Sequence, residues 1–210
     1  KMIIPLSSMA KAKHTISVSA EEKIREAARR VFMKKGYAAT RTRDIAEEAG
    51  LNLALLNYYF RSKEKLFGIV MEERMKQFFG VITPLMYDTT TTLDRKIEMI
   101  VSNYVDMLLQ NPDLPLFILN EIRHNSDLFN RFQAGRLIHG SHFVTQLKEK
   151  QPGIHPLHFV VSILGMTIFP FVAKPVLQSA GGINQQLFVA MMEERKTLVP
   201  KWAKAMIKMK

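Results

Sequence analysis

Residues 40–67 read TRTRDIAEEAGLNLALLNYYFRSKEKLF. Ala46 is followed four residues later by Gly50, Leu51 comes next, and Leu56 lies five residues beyond Leu51. Such spacing predicts two short helices crossing at a tight turn. Ala46 must be small because the second helix passes close above it. Gly50 lets the chain turn left-handed at little cost. Ile45, Ala49, Leu51 and Leu56 then fill the wedge between the helices. The second helix keeps one bare face, a shape that fits a DNA major groove. Asn52 is its expected N-cap, and the helix runs from Leu53 to about Tyr58. Ser62 is the expected cap of a third element. Free N–H groups and the helix dipole attract phosphate at such an end, and Lys63 adds a full charge there.

The charge balance supports that implication. The chain of 210 residues carries a formal net charge of +11. Residues 1–80 hold 16 Lys and Arg against 9 Asp and Glu, and residues 81–210 hold 14 against 10. The excess is concentrated on the segment with the two crossing helices, the footprint of a phosphate-bearing partner. Hydrophobic content of 47% and charged content of 23% are ordinary for a globular chain. With no cysteine, neither a disulfide framework nor a thiolate metal site is possible. The uncharged run 159–173 is too short for a membrane span and reads as a buried helix. Residues 1–15 are set aside as a disordered arm or as residues foreign to the natural chain.

Downstream and upstream, the periodicity is helical throughout. Ser19 and Glu22 form an expected capping box, and Ile24, Ala27, Ala28, Val31 and Phe32 recur at three and four, up to Gly36. From Ser62 a longer helix carries Leu66, Phe67, Val70, Met71, Met75 and Phe78 on one stripe. Further helices are expected over 93–110, from Pro115 to about 124, from about 127 to 150, from Pro156 to about 172 and over 184–207. No strand alternation is present. The fold class is all-α: an N-terminal three-helix, helix-turn-helix head and a C-terminal helical body, about nine helices together.

The string Gly36-Tyr37, Thr40, Arg43-Asp44-Ile45-Ala46, Ala49-Gly50-Leu51, Leu56, Phe60 and Ser62-Lys63-Glu64 with Leu66 resembles the DNA-binding domain of the TetR family of bacterial transcriptional regulators. It covers residues 20–67. Arg41 stands where the family usually has Ser or Thr, and Asn57 where it often has Tyr. The resemblance implies a head over 16–62 and a ligand-binding and dimerisation body over 63–210. It implies a cytoplasmic, homodimeric regulator, a repressor, that leaves a near-palindromic double-stranded operator when a small-molecule effector binds. A ligand-independent activator or architectural protein is the alternative; a helical enzyme or metal carrier with a basic head is a more distant one.

Within the head, Thr42, Tyr58 and Lys63 are expected at phosphates, Asn52, Leu53, Ala54 and Asn57 at base edges or the backbone between them, and Arg43 is counted with the DNA-binding residues. A mostly apolar ligand is expected in the body among Met107, Phe117 and Phe143, with Glu121, His124 and His142 as polar anchors and His139 on the same face as His142. Dimerisation, through the last two long helices as in the family, is expected at Ile163, Leu187, Met191, Leu198 and Trp202. Glu121 and His124 have the spacing of half a di-metal motif, but the body offers no second copy. No catalytic constellation and no cofactor motif is present, so no metal, cofactor or enzymatic activity is expected.

Overall fold

The computed structural model describes the backbone of residues 6–124, 135 and 140–209, with the side chains of 20–123, 135 and 140–209. Eleven helices lie among them. The chain divides into two compact units, residues 1–73 and 74–210.

In the first unit, α1 (Leu6–Ala39), α2 (Thr42–Ala49) and α3 (Leu53–Phe60) pack on one another, and α4 (Lys63–Gly80) begins. Ile24, Ala27, Ala28, Phe32, Ile45 and Leu56 are completely enclosed. These are the residues whose spacing predicts the core. Phe32 and Tyr37 stack at 6.4 Å, and Phe67 packs edge-on against Phe32 at 5.0 Å. The helix start expected at Ser19 is not one: α1 begins at Leu6 and runs through it. A capping box is a local preference, and residues 6–18 simply continue the helix upstream. Gly36, at φ 72°, breaks α1 near its end.

The division between the units falls inside α4, between Glu73 and Arg74. Leu66, Val70, Met71 and Met75 are buried, as the stripe predicts. The second unit holds α5 (Thr83–Tyr87), α6 (Leu93–Gln110), α7 (Leu114–His124), α8 (His142–Lys150), α9 (Leu157–Val172), α10 (Lys174–Ala180) and α11 (Gln185–Lys208). Helix α6 is central and touches α5, α8, α9 and α11. Its inward residues Ile97, Val101, Tyr104, Val105 and Leu108 are enclosed, and the Tyr104 hydroxyl donates to the Phe78 carbonyl at 3.2 Å. Burial pushes the Tyr104 phenol well above its usual pKa.

One helix was expected from about 127 to 150. Residues 125–134 and 136–139 lie outside the described set. What is described breaks that helix: the chain bends at Gly140, and Ser141 caps a fresh α8, its Oγ accepting the Val144 N–H at 3.4 Å. No single described helix is long and apolar enough to cross a membrane; only α9 and α10 taken together, bent by 57°, reach that length.

Candidate nucleic-acid interface

Helix α2 ends as the Ala46–Gly50 spacing requires. Gly50 sits at φ 64°, its N–H donates to the Glu47 carbonyl at 3.0 Å, and the Leu51 N–H donates to Ala46 at 3.0 Å. Both bonds tie off carbonyls that the helix end would leave free, and a side chain at this φ would be strained. Two residues on, the Asn52 side chain accepts the Leu55 N–H at 2.8 Å and starts α3. Arg41 gives α2 no side-chain cap. Asp44 replaces it, accepting the Arg41 N–H at 3.1 Å. Asp44 also pairs with Lys35 of α1 at 2.9 Å. The Lys35 ammonium and then the Arg41 N–H hold the Asp44 carboxyl below its ordinary pKa.

Lys63 is the clearest correction. It was expected to reach for phosphate. Its Nζ instead donates to the carbonyls of Tyr37 at 3.0 Å and Thr40 at 2.9 Å, and lies 4.2 Å from the centre of the Tyr37 ring. Those carbonyls belong to the turn between α1 and α2, whose Thr40 hydroxyl is itself bonded to Gly36. Lys63 therefore fastens α4 to that turn. Lys63→Met is expected to destabilise the head by about 1–3 kcal/mol, since two charged hydrogen bonds to carbonyls are lost and the Tyr37 carbonyl keeps only the Thr40 N–H. Urea unfolding checks it. Unchanged stability with weakened DNA binding would return Lys63 to a phosphate role.

The exposed face of α3 and its flanks presents Asn52, Ala54, Asn57, Tyr58 and Arg61, with Arg43 exposed on α2 and Lys65 on α4. Thr42 and Leu53 are half-buried. Tyr58 is 76% exposed, which in a residue of that size leaves a large unpartnered surface. Arg43, Arg61 and Lys65 have no ion pair among the described residues. The α1–α2 side is different. There Arg25, Arg29, Arg30 and Lys35 are paired with Glu21, Glu26, Glu48 and Asp44. A surface groove of about 570 Å³ on that side is lined by Arg30, Lys34 and Lys35 against Asp44, Glu47 and Glu48. Positive charge is thus neutralised on one side and left free beside α3. Sequence reading missed Arg61 and Lys65. Arg61 holds φ 56°, unusual for a residue with a side chain, at the turn where α3 ends. No spacing rule announces such a residue.

The family model for bacterial regulatory proteins of the tetR family matches residues 24–69. The chain is 24% identical over 168 residues to the "Probable HTH-type transcriptional regulator YttP" of Bacillus subtilis, covering 74% of this chain and 79% of that one. Its head therefore carries the DNA-binding domain of the TetR family of transcriptional regulators. The chain is also 25% identical over 119 residues to the HTH-type transcriptional repressor KstR2 of Mycolicibacterium smegmatis, covering 50% of this chain and 58% of the relative. The fold extends past the head. The Bacillus subtilis regulator FadR, solved in complex with stearoyl-CoA, superposes with a TM-score of 0.59 at 19% identity, over 85% of this chain and 96% of FadR.

In the second unit the expected pocket residues have mixed fates. Met107, Phe117 and Phe143 are buried. Glu121 is half-buried and has an interaction partner. His139 and the side chain of His124 lie outside the described residues. His142 is not a free anchor. It opens α8, and its Nδ1 lies 3.1 Å from Lys96 Nζ and 3.0 Å from the Asp88 carbonyl oxygen.

The expected interface is corrected at Ile163, which is 3% exposed and belongs to the protein's own core. On the same helix Val161 and Phe169 are each 65% exposed. An all-apolar helix carries no phase in its sequence, so inward and outward faces were confused. On α11, Leu187 and Trp202 are exposed and Met191 and Leu198 half-buried. Arg195 lies 5.4 Å from the centre of the Trp202 ring and donates to the Met166 carbonyl of α9 at 2.6 Å.

Proposed function

We propose that this protein is a cytoplasmic homodimeric repressor of the TetR family that holds a near-palindromic operator and leaves it when a small, mostly apolar ligand enters the body. The observation that carries the DNA half is the segregation of charge in the head: Arg43, Arg61 and Lys65 around α3 stand without an ion pair among the described residues, while Arg25, Arg29, Arg30 and Lys35 on the α1–α2 side are paired. Thr42, Arg43, Tyr58, Arg61 and Lys65 are assigned to phosphates and sugars. Ala54 and Asn57, with the half-buried Leu53, are assigned to base edges, and Asn52 to the helix cap. Two heads must reach successive major grooves about 34 Å apart, so a dimer is required. The exposed apolar positions of α9 and α11, Val161, Phe169, Leu187 and Trp202, are assigned to its interface. The ligand half rests on the buried Met107, Phe117 and Phe143 and on the likeness of fold to FadR, solved with stearoyl-CoA.

A binding titration on a site selected from random duplexes tests this. Affinity is expected to fall steeply between 50 and 200 mM salt, by ~1,000-fold or more if about six phosphates are neutralised. Equal affinity for the selected site and for random DNA would sink the proposal. A long-chain acyl thioester that leaves binding unchanged at saturating concentration would remove that ligand class and leave the DNA half standing.

A further inference from the structure

The second unit contains a buried polar knot that DNA reading does not use. Lys96 of α6 has no accessible surface. Its ammonium donates to the main-chain carbonyl of Asp88, in the loop after α5, and meets His142 Nδ1 of α8 at 3.1 Å. That nitrogen is also 3.0 Å from the same carbonyl oxygen. One turn along α8, Gln146 donates to the Thr91 carbonyl at 3.1 Å, while its buried Oε1 has no partner among the described residues. The Asp88 carboxylate is turned elsewhere. It accepts from the Thr91 hydroxyl, from the Thr90 hydroxyl at 2.7 Å and from the Thr90 N–H at 2.8 Å. These bonds hold its pKa far below the ordinary carboxylate range. The groups that face Lys96 are therefore a main-chain carbonyl and the His142 imidazole, with no carboxylate oxygen between them. Burial pulls the Lys96 pKa down, and the charge of Asp88 opposes that pull.

We infer that this knot is an acid-opened latch: protonating His142 sets an imidazolium 3.1 Å from the buried Lys96 ammonium, and α8 releases the 88–92 loop. A neutral imidazole with its proton on Nε2 offers the Nδ1 lone pair to Lys96. An imidazolium has donors on both nitrogens and no lone pair, so Lys96 loses an acceptor and gains a like charge at 3.1 Å, and the Asp88 carbonyl oxygen, 3.0 Å from the same nitrogen, has to serve both cations. Imidazole is the side chain whose charge ordinarily changes between pH 5 and 8.

The surrounding elements do not relieve the conflict. From α5 and its loop come Tyr87, which is exposed, and Asp88, which is spent on the two threonines. From α6 come Asp94 and Arg95, both exposed, and Glu98, which is held by Arg95 and by Lys204 of α11. Lys208 of α11 is exposed, and α8 itself adds Lys148, Glu149 and Lys150 at its far, exposed end. Acid favours whichever state takes the extra proton without a second cation beside it, which is the released one. The latch is therefore closed at neutral pH and lost as pH falls.

Hydrogen exchange of the full-length protein tests this, at about pH 7.5 and about pH 5.5 and corrected for intrinsic rates. In the natural protein, amides of 88–96 and 142–147 are expected to lose about tenfold or more in protection at the lower pH. His142→Gln, which cannot titrate, is expected to show no such loss. Lys96→Met, if it folds, is expected to show none either, because the opposing cation is gone. Protection that ignores pH in the natural protein, or a loss that persists in His142→Gln, overturns the latch. The effect on DNA rests on the proposed function, and operator affinity measured at the same two pH values reads it separately. Affinity that falls in parallel, and only with His142 present, supports both. A latch that opens while affinity stays flat retains the latch and overturns the coupling of body to operator.

Discussion

Leu56→Asp is expected to unfold the head and abolish operator binding while leaving the second unit folded. Leu56 has no accessible surface, and its neighbours Ile45 and Ala46 are buried with it in the wedge between α2 and α3. Truncation there would already cost about 2–5 kcal/mol. A carboxylate adds an unpaired buried charge, which such a site has no group to match. The head is small, and small units have little stability to lose. Operator affinity should drop by ~100-fold or more, equivalent to about 2.7 kcal/mol. The single tryptophan, Trp202, lies in the second unit and reports on it alone. Its fluorescence transition in urea should stay in place while part of the helical circular dichroism is lost. A Trp202 transition that shifts with the mutation would mean that the two units unfold as one.

Phe169→Glu is expected to halve the mass in solution without harming the chain's own fold. Phe169 is 65% exposed in the single chain, so the charge meets water there. In a dimer built on α9 and α11 it would be trapped against apolar surface. Losing the second head removes the avidity of a two-site grip, typically ~100- to 10,000-fold in affinity for a paired site. Light scattering and an operator titration read the two effects. A mass that stays dimeric moves the interface off α9. Ile163→Glu is a poor substitute, because Ile163 is core and its loss of association would only report misfolding.

These two residues show what a single sequence reveals. Leu56 was legible because the wedge is a short-range pattern: a small residue, a left-handed turn and two leucines at fixed distances. Asn52 was legible for the same reason, since a cap acts on amides three residues away. Phe169 was not, because α9 is apolar on every side and its phase is set by which neighbours cover it. Lys63 was misread for a different cause. Its charge and its place in a first turn suggest phosphate, but the carbonyls that engage it belong to residues 37 and 40, brought near only by the fold. Arg41 hid its substitute Asp44 in the same manner, and the break at Gly140 could not be told from an ordinary helical glycine. Local chemistry was readable, while choices made by tertiary neighbours were not.

The uneven charge of the head also bears on how the protein finds its site. One flank is neutralised by ion pairs and the other keeps its cations free, so the head has a polarity that acts before any contact forms. On the proposed reading, in which α3 enters the groove, a molecule approaching a duplex with the wrong side is turned, and encounters are enriched in those that face α3 to it. The same attraction does not depend on sequence, so a misplaced protein is held loosely on ordinary DNA and can slide or hop along it. The search becomes one along a line as well as through a volume, with a reach that shrinks as salt rises.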